Sequence, residues 1–245
     1  MLYITGDTHG ISKEFDWYLH CCDHNGVTED DYFIICGDFG YIFRDDIVEK
    51  YFLDLLESKG LCKILFVDGN HENFRALYSY PIEEWNGGKI HRIRKNIFHL
   101  MRGQIYNLDG IRVFTMGGAY SIDRYIRKLN VSYWSEEIPS DAEYKEAVLN
   151  LAGCNNEVDI ILSHTAPKEV IRWMGYYPDR HDEELTGFLE WVMYECDYKK
   201  WYFGHWHADC VVLRKHRAVF KDCIRVRLNE DHQLEEDLIE DFFEA

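Results

Sequence analysis

Phe66-Val67-Asp68-Gly69-Asn70-His71-Glu72 closes a β-branched and aromatic run that begins at Ile64. The apolar run stops at a glycine, which permits a sharp turn, and an amide and an imidazole follow at once. A buried strand ending this way presents Asn70 and His71 side by side at its carboxyl end. An amide oxygen ligates hard cations. An imidazole ligates metal or moves a proton near neutral pH.

The same unit recurs along the chain. Leu2 to Thr5 runs into Gly6-Asp7-Thr8-His9-Gly10, and Tyr32 to Cys36 into Gly37-Asp38-Phe39-Gly40. Ile111 to Thr115 ends at Gly117-Gly118-Ala119-Tyr120. Asp159 to Leu162 runs into Ser163-His164-Thr165, and Trp201 to Phe203 into Gly204-His205-Trp206-His207. Helical periods stand between these units. Phe15, Tyr18, Leu19 and Cys22 share one face. Val48, Phe52, Leu55 and Leu56 share another, in a helix from about Asp46 to Ser58 that Gly60 closes. Ser140 to Glu143 reads as a capping box opening a helix that Gly153 ends, and Glu184 to Cys196 is a further helix. Glu84 to Gly118 is broken by Asn86-Gly87-Gly88, Arg102-Gly103 and Leu108-Asp109-Gly110, which predicts hairpins and an antiparallel region. Three short strand-like runs follow around Val211, Val219 and Val226. Strands alternating with helices predict an α/β fold. The carboxyl-end loops of its parallel strands gather on one rim, where ligands bind.

Asp7, His9, Asp38, Asn70, His71, His164, His205 and His207 all fall at such ends. The other seven of the 12 histidines (His20, His24, His91, His99, His181, His216 and His232) lie in helices, hairpins or loops and read as surface or core residues. An Asp after glycine is usually a turn residue, and a lone strand-end His is more often hydrogen-bonded structure. Two Asp, one Asn and four His converging on one rim are another matter. Unpaired, they carry desolvation and repulsion costs that metal coordination relieves. The spacing assigns Asp7, His9 and His207 to one ion and Asn70, His164 and His205 to a second, with Asp38 bridging through its two oxygens. Such pairs sit roughly 3.5–4 Å apart. Two divalent ions against two carboxylates leave a local charge of about +2, or about +1 with a bridging hydroxide.

That local field matters because the whole chain of 245 residues carries a formal charge of −17. Duplex nucleic acid is therefore an unfavourable partner, since phosphate contacts need Lys and Arg, whereas a small anion can still be drawn to the metals. The 8 cysteines form no C-x-x-C pair and no secretory leader is evident, which predicts reduced thiols and a cytoplasmic protein. No apolar run approaches the roughly 20 residues of a membrane span.

Taken together, D-x-H (Asp7, His9), G-D (Gly37, Asp38), G-N-H-E (Gly69 to Glu72), a lone His164 and G-H-x-H (Gly204 to His207) resemble the calcineurin-like metallophosphoesterases. The resemblance implies a single-domain α/β fold over residues 1–229, a four-layer α/β/β/α sandwich with two central mixed sheets and a dimetal site at the strand carboxyl-end rim. It implies two divalent ions, manganese or iron foremost, with zinc or nickel as alternatives. It also implies in-line attack on phosphorus by metal-bound hydroxide, with catalytic His71 protonating the leaving oxygen or stabilising charge on the phosphoryl group. One departure concerns the substrate. The Ser/Thr protein phosphatases of the superfamily continue G-D as V-D-R-G, where this chain reads Phe39-Gly40-Tyr41-Ile42-Phe43-Arg44. Arg44 is the candidate substitute for their arginine, and the residue that orients His71 is open. The pattern stands nearer the phosphodiesterase and nuclease-like branches, so a phosphodiester or nucleotide-type substrate is expected. The alternatives are a phosphomonoesterase or protein phosphatase, and a non-catalytic scaffold of the same fold.

Tyr120 to Arg127 follows a strand end and can fold over the metals as a substrate loop. Arg124 and Arg127 are its phosphate-binding candidates, and Tyr120 or Tyr125 can stack on a base. In the acidic tail, residues 230–245, Leu234, Leu238, Ile239, Phe242 and Phe243 recur at helical spacing. This predicts an amphipathic helix docked on the chain's own core or on a mate in a homo-oligomer.

Overall fold

The computed structural model describes residues 1–10 and 26–239. The expected helix through Phe15, Tyr18, Leu19 and Cys22 lies outside these residues. The strands are β1 (Leu2–Thr5), β2 (Tyr32–Ile35), β3 (Lys63–Phe66), β4 (Ile82–Trp85), β5 (Gly88–Arg94), β6 (Ile97–Leu100), β7 (Ile105–Leu108), β8 (Ile111–Met116), β9 (Ile160–Ser163), β10 (Lys200–Phe203), β11 (Cys210–Val212), β12 (His216–Ala218), β13 (Cys223–Leu228) and β14 (Leu234–Ile239). The α-helices are α1 (Ile47–Lys59), α2 (Phe74–Leu77), α3 (Asp141–Gly153), α4 (Lys168–Trp173) and α5 (Glu183–Glu195).

Two mixed sheets result, an eight-stranded one in the order β14-β13-β1-β2-β3-β6-β5-β4 and a six-stranded one in the order β11-β12-β10-β9-β8-β7. In the first, β1, β2, β3 and β6 are mutually parallel. In the second, β8, β9, β10 and β12 are. The region from Glu84 to Gly118 forms antiparallel pairs, as its glycine turns predict.

Period-two alternation sorts the strand residues between cores. Leu2, Ile4, Ile34 and Leu65 of the larger sheet share a buried cluster with Tyr106, Val113, Ile160, Leu162 and Tyr202 of the smaller. Their neighbours Tyr3, Phe33, Ile35, Ile64 and Phe66 pack instead with Leu53 and Leu56 of α1 and Phe74 and Leu77 of α2. Phe114, Ile161, Trp201 and Phe203 pack with Leu151, Ile171, Leu185 and Leu189 of α3, α4 and α5. Each fully buried side chain of this kind contributes roughly 1.5–3 kcal/mol, so the central strands β1, β2, β3, β9 and β10 are held from both faces.

Helix α3 starts with the expected capping box: Ser140 accepts from the Glu143 N–H, and the Glu143 carboxylate reaches back to the Ser140 N–H. Helix α1 is rotated from its expected face. Leu53 and Leu56 are buried, while Val48 is exposed. The cause is Glu49 in its first turn, whose carboxylate accepts from the backbone N–H groups of Phe43, Arg44 and Asp45. That clamp turns the polar residue inward and fixes the loop that follows Asp38.

The C-terminal reading needs correction. Leu234–Ile239 is a strand and not a helix, paired antiparallel with β13 at the edge of the larger sheet. Its acids are answered by bases of neighbouring strands, Asp237 by Arg225, Glu235 by Arg227 and Glu236 by Lys200. Phe242 and Phe243 lie outside the described residues. Among the described residues no helix is long and apolar enough to cross a membrane, and Cys36, Cys154, Cys196 and Cys210 are free thiols.

Candidate metal centre

The parallel strands deliver their end turns to one place. Asp7 and His9 follow β1, Asp38 follows β2, Asn70 and His71 follow β3, His164 follows β9, and His205 and His207 follow β10. The motif glycines make the convergence possible. A Cβ on Gly69 would fall 2.0 Å from Asp38 Oδ1, and one on Gly204 would fall 2.1 Å from Asp7 Oδ1. Each of these two glycines therefore makes room for a ligand belonging to another motif.

Two donor groups form. His207 Nε2 lies 3.0 Å from Asp7 Oδ2 and 3.1 Å from His9 Nε2. On the other side, Asn70 Oδ1 lies 3.0 Å from both His164 Nε2 and His205 Nδ1. Asp38 stands between the groups, with Oδ1 3.4 Å from His164 Nε2 and Oδ2 3.9 Å from His9 Nδ1. Asp7 also receives the His205 N–H at 2.9 Å, and the His71 N–H donates to Asp38 Oδ1 at 2.8 Å. His9, Asp38, His205 and His207 all have positive φ, between 46° and 64°. For side chains other than glycine this costs roughly 1–2 kcal/mol per residue. Strain concentrated on four of the seven proposed ligands marks a site shaped for something other than stability.

The donor chemistry fits cations. His164 Nδ1 lies 2.8 Å from the Cys36 carbonyl and donates to it, which leaves a lone pair on Nε2. Asn70 Nδ2 donates to Ser121 Oγ at 3.1 Å, so its oxygen is the atom turned toward His164 and His205. Acceptor then faces acceptor at 3.0 Å, an arrangement that a positive ion between them resolves. Burial, with the neighbouring His164 adding to it, pushes the His205 pKa down to about 3, so its ring stays neutral throughout the physiological range. Burial works against a charged His164, but Asp38 and Asp7 outweigh it and raise that pKa. The hydrogen bond to Asp7 raises that of His207. Both shifts report buried negative charge seeking a cation. The groupings Asp7–His9–His207 and Asp7–Asp38–His164 each place one donor atom per residue within 4.8 Å of the others.

The remaining residues surround this centre. His71 lines the cleft with its Nδ1 3.0 Å from Arg127 Nη1. Arg127 is itself held by Asp123, 2.6 Å from its Nε, and by the Ser132 carbonyl. Arg124 turns away from the metals onto the fully buried Glu137 at 2.7 Å and lies 4.0 Å from the centre of the Tyr120 ring. Tyr120 stacks on His181 with ring centres 4.6 Å apart. Arg44 is exposed and lines a cleft with His9, Phe43 and His71. Tyr125 is 86% exposed, away from these contacts. Sequence reasoning missed Ser121 and Glu137, both buried behind Asn70, and the ion pair of Asp68 with Arg102 beneath it. The polar pair Ser121 and Glu137 carries no local pattern, and only its position after a strand end sets it apart.

Comparison with known proteins agrees with this picture. The chain is similar to the lariat debranching enzyme of Schizosaccharomyces pombe, 22% identical over 222 residues that make up 85% of this chain and 44% of that protein. It is similar to the lariat debranching enzyme of Drosophila pseudoobscura pseudoobscura, 23% identical over 245 residues, 89% of this chain and 44% of the other. The chain thus spans less than half the length of these relatives. The sulfate thiohydrolase SoxB of Thermus thermophilus, solved with glycerol, superposes with a TM-score of 0.46 at 13% identity, covering 91% of this chain and 42% of that one. The family model of the calcineurin-like phosphoesterases matches residues 2–209, and the chain belongs to that family.

Proposed function

We propose that this chain is a dimetal phosphodiesterase acting on a small, nucleotide-type phosphodiester in the cytoplasm. The observation that carries the diester reading is that two clefts meet at His71. One, of about 400 Å³, is lined by His9, Tyr41, Phe43, Arg44 and Phe52. The other, of about 600 Å³, is lined by Tyr120, Ser121, Arg127, Tyr177 and Trp206. A diester has two arms to place on either side of phosphorus, and a monoester has one. Similarity to two lariat debranching enzymes, which are phosphodiesterases, supports the same reading. The free thiols support a reducing compartment.

Asp7, His9 and His207 would hold one divalent ion and Asn70, His164 and His205 the other, with Asp38 shared; manganese suits such a mixed oxygen and nitrogen set. When bound, the pair activates water and neutralises charge on the phosphoryl group. The protein's own groups do the rest. Arg127 only donates hydrogen bonds and approaches both ring nitrogens of His71, Nδ1 at 3.0 Å and Nε2 at 3.4 Å; the closer contact favours the lone pair on Nδ1. Nε2 then carries the proton and can donate to the leaving oxygen. Burial and the nearby Arg127 together lower the His71 pKa, against the pull of Asp38, so the neutral ring supports the leaving oxygen through a hydrogen bond from Nε2, while full proton transfer requires the imidazolium. Arg127 stands beside the same cleft and can also donate to a phosphoryl oxygen. Arg124, committed to Glu137, supports the loop that carries Arg127. Of the two loop arginines only Arg127 lines the cleft, so the loop suits a singly charged diester.

Kinetics in manganese with bis(p-nitrophenyl) phosphate and p-nitrophenyl phosphate test this reading. The diester should show the higher kcat/KM. A preference of tenfold or more for the monoester would overturn the diesterase assignment and leave the metal centre intact.

A further inference from the structure

Asn70 differs from every other proposed ligand in having two chemically opposite ends. Its oxygen can meet a cation, and its amide nitrogen repels one. Turned inward, Nδ2 would donate to the Nε2 lone pair that the contact of His164 Nδ1 with the Cys36 carbonyl leaves open, and the amide would offer a cation no lone pair. Something must therefore select the orientation. The contact that does so is Ser121 Oγ, which accepts from Asn70 Nδ2 at 3.1 Å and whose hydroxyl points back to the Asn70 carbonyl at 3.5 Å. Ser121 is 2% exposed and Asn70 4%, so no bulk water competes for the amide.

We infer that Ser121 is a positioning residue for the metal centre, fixing the Asn70 amide with its oxygen toward the second ion, and that Glu137 anchors Ser121 for this task. Glu137 is fully buried. Its Oε2 accepts the Ser121 N–H at 3.1 Å and Arg124 Nη2 at 2.7 Å, and its Oε1 accepts the Trp134 N–H at 3.1 Å. The carboxylate thus ties together both ends of the segment from Ser121 to Glu137. That segment also carries Arg127 to His71. One buried acid thereby supports both the Ser121 contact to Asn70 and the segment that brings Arg127 to His71. The inference concerns affinity for metal and is independent of which phosphoester is hydrolysed; it rests only on Asn70 being a ligand.

The test is a manganese titration of chelator-treated protein followed by calorimetry, which reads each ion separately. Changes behind a ligand typically weaken metal binding by about 10–100-fold, so Ser121→Ala should weaken the second ion within that range and leave the first unchanged. Ser121→Thr and Ser121→Val have nearly the same shape and differ in the hydroxyl; the Thr variant should bind the second ion at least about tenfold tighter than the Val variant, the worth of one buried hydrogen bond. In an Asn70→Asp background both ends of the side chain are oxygens, so Ser121→Ala should there change affinity by less than about threefold. Equal affinity of the Thr and Val variants would overturn the inference, as would an equal loss from Ser121→Ala in the wild-type and Asn70→Asp backgrounds. If Asn70→Ala kept both ions at full affinity, Asn70 would not be a ligand, and that failure is distinct from a failure of the substrate reading.

Discussion

Two sets of buried carboxylates and imidazoles lie within a few residues of each other at the end of β3, and they are built on opposite rules. In one, Asp68 is 1% exposed and accepts Arg102 Nε at 2.8 Å, Arg102 Nη2 at 2.5 Å and His99 Nε2 at 3.0 Å. Its charge is matched within the protein. In the other, Asp7 and Asp38 are 4% and 2% exposed, and among the described residues their ion-pair partners are histidines alone. Among the described residues no guanidinium or ammonium pairs with them. A buried carboxylate without a matching cation costs several kcal/mol. The Asp68 cluster is therefore complete as folded, whereas the Asp7–Asp38 cluster lacks such a match, which the proposed ions would supply. Metal binding is legible here as a charge left unbalanced on purpose.

The comparison breaks most visibly at Asp38. Asp38→Asn should strip both ions and abolish hydrolysis, a larger loss than the roughly 10–100-fold typical of residues behind the ligands. His9→Ala should remove one ion's worth of affinity and less activity. Elemental analysis showing a single ion that Asp38→Asn leaves in place would refute the shared ligand.

His71 stands at the edge of the second set, its backbone N–H donating to Asp38 at 2.8 Å and its ring lying 3.9 Å from Asp38 Oδ2 and 3.0 Å from Arg127. His71→Ala should keep metal content near wild type while lowering kcat by about 10²–10⁴-fold. The loss should shrink for leaving groups that are weak bases and need no proton. Loss of the ions in this variant would move His71 into the ligand set.

Asp68→Asn reverses the pattern. It leaves Arg102 buried at 3% exposure without its carboxylate, a change that costs roughly 3–5 kcal/mol and lowers Tm by on the order of 10 °C, while the chelator-treated protein should still take up both ions. A variant that melted like wild type but no longer bound metal would erase the distinction drawn here.

Which parts of this were legible in advance follows from how local each signal is. A strand that ends at glycine and then a ligand is written within five residues, so Asp7, His9, Asp38, Asn70, His164, His205 and His207 could be picked out one turn at a time. The capping box at Ser140 is equally local. The tail was not, because Leu234 and Leu238 satisfy a helical period while the forces that make Leu234–Ile239 a strand sit elsewhere. Arg225 and Arg227 on β13 stand opposite Asp237 and Glu235 in register and neutralise them. An isolated acidic segment gives no sign of bases ten residues upstream. The same holds for Ser121 with Asn70, 51 residues apart, and Arg102 with Asp68, 34 apart. Ligands announce themselves by type, but the groups that orient them do so only in three dimensions.

The smallest effect separates the two clusters by pH. Behind Asp68, His99 passes the chain of contacts to His91, the Nδ1 atoms lying 2.9 Å apart and the rings stacked at 5.2 Å. Burial, with His99 adding to it, pushes the His91 pKa from an ordinary 6.5 down to about 4. The folded state then refuses a proton that the unfolded chain accepts, so stability falls with pH from 6.5 to 4 by ~3 kcal/mol, about 2 kcal/mol of it by pH 5. Asp68 acts in a different window. Its pKa is held far below an ordinary 3.8 by Arg102 and His99 despite its burial, so its contribution is intact above that value and is lost only in stronger acid. Urea unfolding of metal-free wild type and His91→Gln at pH 7, 6 and 5 isolates the histidine, because the difference between the two cancels the other histidines whose pKa values burial lowers, His205 and His216 among them. His91→Gln retains a hydrogen-bonding side chain but cannot titrate, so it should be less stable than wild type at pH 7, and the gap should close by about 2 kcal/mol at pH 5. A gap that stayed constant over this range would show that His91 is already free to take its proton in the folded protein, and that the cluster beneath the metals is wetter than its burial implies.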